Sequence, residues 1–339
     1  MKKAETSPTP KLSVIMSCYN REQFVEAAIK SILRQTFRDF EFIIIDDGSK
    51  DKTPDIIQKY ADIDKRIIFI RQPQNQGLTA NLNKALALAK GVFIARMDDD
   101  DISLPTRFEK QIAFMDKHPE ICACGTSLKN MGQNSPSHIR YFSPELLAFA
   151  LCFYNPIAHP TVMIRNSFLK QHHLRYSYDF LYAEDYKLWA DMVACGGKLA
   201  NLREELLYYR LYPSAGERKE YVLIQQQNAE RIKNSLLHKF YFSAEEQQKI
   251  CQNFEAFGAG YAYNRKEWKK AKRLFESRNH VFSPKIVKKF FYRPSSHSFL
   301  KNCYAAAKTI RFIIKLPLLP YYACKSYKML TWDIEHDKH

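Results

Sequence analysis

One stretch of ten residues decides the fold: VFIARMDDDD, residues 92–101. Its apolar part, Val92 to Ala95, has the composition of a short buried strand, and four aspartates, Asp98 to Asp101, follow almost at once. Adjacent carboxylates repel one another and raise each other's pKa values, so the run costs stability unless a cation neutralises it. A solvated acidic loop is the competing interpretation, because acidic turns are common. The position of the run directly after a strand favours the cation site.

Three more apolar runs precede this stretch, and helical patterns separate them. The predicted strands are Leu12 to Met16, Phe42 to Ile45 and Ile67 to Ile70. The predicted helices are residues 24–33, a helix with Thr53 as N-cap and Pro54 at its first position, and residues 78–90. Strands that alternate with helices over short connections predict a parallel sheet with right-handed crossovers. We therefore expect an α/β fold with a mostly parallel sheet and flanking helices.

Polar residues follow all four predicted strands, at the edge of the sheet where ligands of such folds bind. These strand ends are Ser17-Cys18-Tyr19-Asn20, Asp46-Asp47-Gly48-Ser49, Gln74-Asn75-Gln76-Gly77 and Asp98 to Asp101. A strand end that faces only the core needs no polar chemistry. The convergence of four polar ends is therefore a stronger signal than any one of them.

The second of these strand ends has two interpretations. Asp46-Asp47-Gly48-Ser49 has the composition of an ordinary turn. A carboxylate there is also able to accept the imide N–H of a uracil base, with Tyr19 stacked on the ring and Ser17 bound to backbone or ribose. Each of these signals is weak alone, and both interpretations stay open at this point.

The sequence lacks both glycine-rich phosphate loops. No G-x-G-x-x-G follows the first predicted strand, and no G-x-x-x-x-G-K-[ST] occurs in the chain. A hard divalent ion such as Mn²⁺ or Mg²⁺ takes oxygen ligands and commonly bridges to a diphosphate. We therefore expect the aspartate run to bind such an ion and, with it, the diphosphate of a nucleotide.

A second acidic pair, Glu184-Asp185, precedes Leu188 and Trp189 in the block from residue 155 to 212. Carboxylates are favoured in the first turn of a helix, so interaction with the helix dipole alone would explain the pair. His159 lies in the same block, where its ordinary role would be that of a hydrogen-bonded loop histidine. Beyond Gly216 the pattern turns helical and polar, which predicts a domain boundary there.

The net charge of +16 predicts a polyanionic partner. Residues 277–332 contain Lys and Arg but no Asp or Glu, so much of the excess is C-terminal. Residues 284–332 mix these charges with apolar side chains, but no stretch reaches the roughly 18 apolar residues of a spanning helix. We expect this amphipathic segment to bind an anionic membrane surface. A helical lobe with solvated lysines is the alternative, and no motif indicates a nucleic-acid partner.

The cysteines and the N-terminus predict a cytoplasmic location. Eight cysteines occur at irregular spacing, without a C-x-x-C or a cysteine–histidine cluster of zinc-binding spacing, so reduced thiols are expected. Residues 1–10 have no apolar stretch, which favours a flexible end over a secretory signal. With the basic segment, this predicts a protein bound peripherally to the inner face of the cell membrane.

Seven motifs together resemble the family 2 inverting glycosyltransferases of GT-A fold. They are Ser13-Val14-Ile15, Ser17 to Asn20, Gln35-Thr36, Ile45 to Ser49, Asn75-Gln76-Gly77, Ala95 to Asp101 and Ala183 to Tyr186. In family-like order and spacing they cover roughly residues 11 to 212, and as a set they are specific. The resemblance implies a catalytic domain at 11–215, with a nucleotide-binding half at 11–125 and an acceptor half at 126–215. A helical C-terminal region at 216–339 would follow it.

The resemblance also implies the roles of the donor-side residues. Asp98 and Asp100 would be the ends of the D-x-D motif, with Asp98 on the ribose or the metal and Asp100 on the metal. The family often has a small residue in place of Asp99, so the main metal ligand stays open between Asp99 and Asp100. The other implied donor-binding residues are Ser17, Tyr19, Asn20, Asn75 and either Asp46 or Asp47 as the reader of uracil.

On the acceptor side, Asp185 matches the general base of the family. An inverting transfer is a single displacement, and one carboxylate must deprotonate the acceptor hydroxyl opposite the leaving nucleotide. Glu184 and His159 would lie beside the acceptor, since the segments around His159 resemble family members that build surface glycans.

The expected function is transfer of one hexose or N-acetylhexosamine from a UDP-sugar to a lipid-linked oligosaccharide of lipooligosaccharide or capsule type. The chain lacks the Q-x-x-R-W motif and the membrane spans of processive synthases, which favours single-sugar addition. One alternative is a nucleotidyltransferase acting on a sugar phosphate, which leaves Asp185 unexplained. Another is a non-catalytic, membrane-attached glycan-binding protein on the same fold.

Overall fold

The computed structural model describes residues 9–131, 143–211 and 219–239. Of these, residues 9–131, 143–211 and 224–232 form one compact unit, and the rest of the described chain belongs to a second. No helix within the described ranges is long and apolar enough to cross a bilayer. The predicted basic segment at 284–332 lies outside the described residues.

Strands and helices alternate through the first four strands, as predicted, and the fifth strand then follows the fourth without a helix between them. The strands are β1 (Leu12–Cys18), β2 (Phe40–Asp46), β3 (Ile67–Arg71), β4 (Phe93–Arg96), β5 (Ile102–Ser103), β6 (Ile121–Asn130), β7 (Met163–Arg165) and β8 (Lys198–Tyr209). The helices are α1 (Val25–Leu33), α2 (Thr53–Ile63), α3 (Leu78–Leu88), α4 (Arg107–Lys117), α5 (Pro144–Ala150), α6 (Asn166–Gln171), α7 (Glu184–Ala194) and α8 (Lys219–Lys239). A 3₁₀ turn spans His159–Thr161.

The strands form one mostly parallel sheet in the order β3-β2-β1-β4-β7-β6-β8-β5. Strands β3, β2, β1 and β4 run parallel, as do β6 and β8. β7 is antiparallel to β4 and β6, and β5 is antiparallel to β8. The chain moves outward from β1 to β3 and then returns to the other side of β1 with β4. The strand order therefore reverses between β1 and β4, which is where open α/β sheets bind ligands.

The central strands are buried along almost their whole length, as expected of parallel strands covered by helices. α1 packs on them through Val25, Ala28, Ile29 and Ile32, an apolar stripe at helical spacing. Gly91, ahead of β4, allows the close approach of β1: a Cβ atom there would lie 2.4 Å from the Ser13 nitrogen. This packing holds β1 and β4 together at their amino ends, at the edge of the sheet opposite the crevice.

The predicted α/β class and mostly parallel sheet are confirmed, with some different boundaries. Thr53 is wrong as an N-cap: it is the first residue of α2, and its hydroxyl accepts a hydrogen bond from the Arg21 N–H at 2.7 Å. α3 ends at Leu88, two residues earlier than predicted. β8 has no predicted counterpart, because residues 203–205 in its middle are charged and exposed and interrupt its apolar pattern.

Candidate active site

The four aspartates lie directly after β4, beside the carboxyl end of β1. Ligand oxygens of Asp98, Asp100 and Asp101 all lie within 4.8 Å of one another. Mn²⁺ and Mg²⁺ bind carboxylate oxygens, and one ion can draw several of them together. Asp98 and Asp100 are the residues predicted as ligands, and the structure adds Asp101 to the group.

Asp101 is fully buried and has one oxygen without a partner. Its Oδ1 accepts a hydrogen bond from the Arg210 N–H at 2.8 Å, just beyond β8. Its Oδ2 has no hydrogen-bond partner among the described residues. Burial and then the neighbouring Asp98 raise the pKa of Asp101 to about 8. A buried carboxyl group with an open oxygen is one that a cation stabilises, so this donor set fits Mn²⁺ or Mg²⁺.

Two buried arginines hold the strand that leads to this group. Arg96 Nη2 forms an ion pair with Asp98 Oδ1. Arg107, at the start of α4, donates from Nη2 to the Arg96 carbonyl at 2.8 Å and from Nε to Gln111 Oε1 at 3.0 Å. Burial lowers the pKa of Arg107 to about 9, whereas burial raises the pKa of Asp98 although Arg96 opposes that shift. The acidic run is thus matched by cations inside the fold.

Asp99 lies outside the group of three carboxylates and contacts the loop after β1. Its Oδ2 accepts a hydrogen bond from the Tyr19 N–H at 3.3 Å, and its Oδ1 lies 3.4 Å from Arg21 Nε. Arg21 Nε also lies 3.8 Å from Asp100 Oδ2. Burial and the adjacent Asp100 raise the pKa of Asp99 to about 7. Asp99 therefore joins the predicted donor loop to the acidic run, while its neighbours form the candidate cation group.

The two candidate uracil readers are both buried but differ in their partners. Asp47 accepts hydrogen bonds from the N–H groups of Gln76 at 2.8 Å and Gly77 at 3.0 Å, so it fixes the loop after β3. Asp46 Oδ1 has no hydrogen-bond partner among the described residues. Asp46 Oδ2 accepts from the Ser49 N–H at 3.3 Å and lies 3.9 Å from Nε of the exposed Arg71. The structure brings both carboxylates to the crevice, and the choice between them stays a prediction.

The other predicted donor residues lie around the same crevice. Ser17 Oγ accepts a hydrogen bond from Asn81 Nδ2 of α3 at 3.2 Å. Tyr19 is 42% exposed, so its ring is available for stacking. Asn20 joins two loops, because its N–H donates to Ser49 Oγ at 2.9 Å and its Oδ1 accepts from the Lys50 N–H at 2.9 Å. Asn75 is exposed on the loop that Asp47 fixes.

Asp185 lies in the first turn of α7, as its sequence context predicts. Its Oδ2 accepts a hydrogen bond from Asn155 Nδ2 at 2.8 Å, and its Oδ1 accepts from the Tyr186 N–H at 2.7 Å. Burial raises the pKa of Asp185, and these two bonds oppose the shift. For Glu184, burial and then the adjacent Asp185 raise the pKa. A carboxylate with a raised pKa is a suitable proton acceptor for a hydroxyl group.

His159 is engaged inside the fold. Its Nε2 lies 2.9 Å from the Tyr176 hydroxyl oxygen. Its ring lies edge-on to the Trp189 ring, with 6.1 Å between the two ring centroids. Burial, and then Arg96, lower the pKa of His159 well below its usual range, so the ring is neutral. Tyr176 is fully buried, so the structure shows His159 in the ordinary role of a packed, hydrogen-bonded histidine. Its place beside the acceptor stays a prediction.

One electrostatic neighbourhood includes both the cation group and Asp185. Burial raises the pKa of Tyr176, and Asp185, Glu184 and Asp98 raise it further. Arg96, which pairs with Asp98, also lowers the pKa of Asp185. Both acidic motifs thus act on Tyr176 and interact with Arg96, although 85 positions separate Asp100 from Asp185 in the chain.

Several residues of this site were not among the predicted site residues: Arg21, Arg71, Arg96, Asn155 and Arg210. For Arg96 a signal existed, since a basic residue two positions before an acidic run is a natural partner for it. Arg210 contacts Asp101 across 109 positions of sequence, so no local pattern reveals it.

Residues 13–179 match the profile of glycosyl transferase family 2. An uncharacterized glycosyltransferase of Haemophilus influenzae is 35% identical over 237 residues, which cover 66% of this chain and 72% of that protein. The UDP-Glc:alpha-D-GlcNAc-diphosphoundecaprenol beta-1,3-glucosyltransferase WfaP of Escherichia coli is 34% identical over 223 residues, with 64% and 84% of the two chains covered.

Solved structures share the fold at low sequence identity. S. aureus TarS 1–349 in complex with UDP-GlcNAc has a TM-score of 0.58 at 18% identity, covering 89% of this chain and 91% of that one. The mannosyltransferase PcManGT from Pyrobaculum calidifontis, in complex with GDP-Man and Mn²⁺, has a TM-score of 0.55 at 13% identity, covering 97% and 88%. These likenesses confirm the expected GT-A fold.

Proposed function

Because this chain belongs to glycosyltransferase family 2, we propose that it moves one hexose or N-acetylhexosamine from a UDP-sugar to a hydroxyl of a lipid-linked surface glycan. The transfer is a single displacement that inverts the anomeric carbon. One observation carries the proposal: ligand oxygens of Asp98, Asp100 and Asp101 lie within 4.8 Å of one another, at the point where the strand order reverses. The three carboxylates are suited to bind a metal ion beside the leaving diphosphate, and the carboxylate of Asp185 is suited to deprotonate the acceptor hydroxyl.

The donor's nucleotide occupies the crevice between β1 and β4. Tyr19 stacks on the base, Ser17 contacts backbone or ribose, and Asp46 or Asp47 accepts the imide N–H of uracil. The open Oδ1 of Asp46 and the exposed ring of Tyr19 support this placement. The UDP-Glc in the name of WfaP, a relative at 34% identity, agrees with a uridine donor.

The diphosphate lies against the aspartate group. Asp98, Asp100 and Asp101 would hold Mn²⁺ or Mg²⁺, which would supply Lewis-acid stabilisation of the departing diphosphate. The hydrogen bond from the Tyr19 N–H to Asp99 links the acidic run to the loop after β1. The buried arginines behind the run hold its backbone in place before any ligand arrives. The Mn²⁺ bound with GDP-Man in PcManGT, which shares the fold, agrees with this proposal.

Asp185 removes the proton from the acceptor hydroxyl while the oxygen of that hydroxyl attacks the anomeric carbon of the donor sugar and UDP leaves. Asn155 orients the carboxylate through Oδ2, and the Tyr186 N–H holds Oδ1. Each carboxylate oxygen of Asp185 uses one lone pair for these hydrogen bonds and keeps another that can take up the proton of the sugar hydroxyl. No covalent enzyme intermediate is needed, because the donor and the acceptor react in one step.

The acceptor is a lipid-linked oligosaccharide of lipooligosaccharide or capsule type. The diphosphoundecaprenol acceptor in the name of WfaP supports a lipid carrier. We place the protein in the cytoplasm at the inner face of the membrane, where residues 284–332 would bind anionic lipid at about 1 kcal/mol per basic residue. Sedimentation with vesicles of anionic or neutral lipid, at low and high salt, tests this segment. Equal sedimentation with both lipids would contradict it.

A calorimetric binding screen tests the donor. UDP-Glc, UDP-Gal, UDP-GlcNAc and UDP-GalNAc would each be titrated into the protein with Mn²⁺, beside GDP-mannose as a control for the base. We expect at least one UDP-sugar to bind, and to lose most of its affinity when EDTA replaces Mn²⁺. Binding of GDP-mannose but of no UDP-sugar would contradict the proposed donor site. So would a UDP-sugar affinity that stays the same when EDTA replaces Mn²⁺.

A further inference from the structure

Helix α8 lies beyond the residues that match the family profile, and one of its faces is fastened to the loop that precedes Asp185. Three side chains of that face each donate a hydrogen bond to a main-chain carbonyl of the loop. The bonds run from Gln225 Nε2 to Tyr182 at 2.9 Å, from Asn228 Nδ2 to Leu181 at 3.0 Å and from Arg231 Nη1 to Asp179 at 3.1 Å. The spacing of three residues between donors places them on one helical face.

An aromatic ring adds a second attachment between α8 and the loop. Arg231 Cζ lies 4.3 Å from the centre of the Phe180 ring, and Lys187 Nζ of α7 lies 5.2 Å from it. Arg231 Nη1 also donates to Asn228 Oδ1 at 2.9 Å, which holds two of the three donors together. Phe180 therefore links α8 to α7, the helix that carries Asp185.

The loop itself has a backbone that other contacts must enforce. Tyr182 has a φ of +62°, in the left-handed region that bulky residues rarely adopt. Such a conformation persists where surrounding contacts determine it, and the Tyr182 carbonyl is the one that Gln225 binds. The side chains of Tyr178, Leu181 and Tyr182 are each more than 40% exposed. The three hydrogen bonds from α8, which we call the clasp, therefore contribute to holding this loop.

We propose that Gln225, Asn228 and Arg231 are positioning residues, which fix residues 179–182 and thereby set the place of Asp185 relative to the acceptor hydroxyl. This inference rests on the proposed role of Asp185 as the base. Ala183 is the N-cap of α7, so the clasped loop ends where the helix begins. A misplacement of about 1 Å at reacting groups costs about a hundredfold in rate. The bonds of the clasp reach none of the donor-side residues, so the clasp acts on transfer and not on donor binding.

Asn228→Asp is the sharpest variant. The carboxylate keeps the shape of the amide and still accepts the hydrogen bond from Arg231, but it has no N–H to donate to the Leu181 carbonyl. Gln227→Glu is the matched control, because it makes the same chemical change at an exposed position of the same helix. Gln225→Ala, at an exposed position of the clasp, serves if Asn228→Asp does not fold.

The expected result is a fall in kcat of about tenfold for Asn228→Asp and Gln225→Ala, with the dissociation constant of the UDP-sugar unchanged and Gln227→Glu like the parent. Hydrogen–deuterium exchange of residues 179–186 should rise in the two clasp variants only. Unchanged exchange would overturn the clasp, and raised exchange with an unchanged kcat would overturn its positioning role. If the parent protein transfers no sugar, the proposed function fails, while the exchange comparison still decides whether the clasp exists.

Discussion

Asn155 Nδ2 donates a hydrogen bond of 2.8 Å to Oδ2 of Asp185, across 30 positions of sequence. The orientation of the amide is fixed, because Asn155 Oδ1 accepts the Ile157 N–H at 3.2 Å. The bond joins the segment ahead of the 3₁₀ turn to the first turn of α7. A hydrogen bond from a neutral donor favours the charged form of a carboxyl group, so Asn155 keeps the proposed base ready to accept a proton.

Asn155→Ala should move the acidic limb of the pH–rate profile to higher pH. Burial raises the pKa of Asp185 and the bond from Asn155 lowers it, so removal of the bond raises the pKa further. The base acts in its deprotonated form, and activity is therefore lost at a higher pH than in the parent. The measurement is kcat/KM for the acceptor against pH, at saturating donor. Gln171→Ala, exposed at the end of α6, is the control, and a limb that stays in place would refute the role of Asn155.

Asp185→Asn should abolish transfer without weakening donor binding. Loss of a general base lowers kcat by about 10² to 10⁴-fold, whereas the donor site is built from other residues. Transfer rates and calorimetric binding of the UDP-sugar, both with Mn²⁺, separate the two effects. Asp55→Asn is the matched control, since Asp55 is an exposed carboxylate in the first turn of another helix, α2. Equal loss in both variants would point to a structural effect.

Asp100→Asn should weaken Mn²⁺ binding by more than about tenfold, or about 1.4 kcal/mol, whereas Asp99→Asn should change it little. The reason is geometric: Asp100 lies in the group of three carboxylates, and Asp99 faces the Tyr19 N–H and Arg21. Electron paramagnetic resonance of free Mn²⁺ measures the affinity of each variant directly. The reverse ranking would make Asp99 the main ligand and would revise the site.

Without a divalent ion, the protein should lose stability as pH rises from about 5 to 8. The pKa values of Asp99 and Asp101 in the fold are about 7 and 8, above the 3.9 or so of an unfolded chain. Between these limits the folded state binds more protons than the unfolded state, so its free energy of unfolding falls with pH. Thermal unfolding at constant ionic strength measures this slope.

Mn²⁺ should remove most of that loss, because it stabilises the carboxylates in their charged form. The rise in Tm on adding Mn²⁺ is therefore expected to be larger at pH 8 than at pH 5.5. Asp101→Asn should flatten the slope of the metal-free protein. A Tm that rises with pH in metal-free buffer, or an equal gain from Mn²⁺ at both pH values, would contradict the assigned carboxylate group.

Much of the fold follows from short-range patterns in the sequence. The apolar runs and helical stripes of residues 12–95 predict β1 to β4 and their helices, because each pattern reports which faces of one element are buried. Strand β8 cannot be predicted in this way, because its exposed middle lies between buried segments and interrupts the apolar pattern. Its place beside β6 depends on contacts between distant parts of the chain.

The candidate site shows the same division. The aspartates at the end of β4 and the acidic start of α7 are visible as motifs, since strand ends and helix starts have local signatures. The contact of Arg210 with Asp101 and the clasp of α8 on residues 179–182 are not visible, because they join segments whose own sequences do not require them. The assignment of roles within the acidic run stays a prediction until variants are measured.

Release of UDP tests the central claim most directly. The protein would be incubated with Mn²⁺, its preferred UDP-sugar and a synthetic acceptor made of a sugar linked to a diphosphate lipid, beside Asp185→Asn and an EDTA control. We predict that the unmutated protein releases UDP only when the acceptor is present, in equal amount to the glycosylated lipid, and that both controls release almost none. UDP release and glycosylated lipid that persist in Asp185→Asn, or in EDTA, would contradict the account.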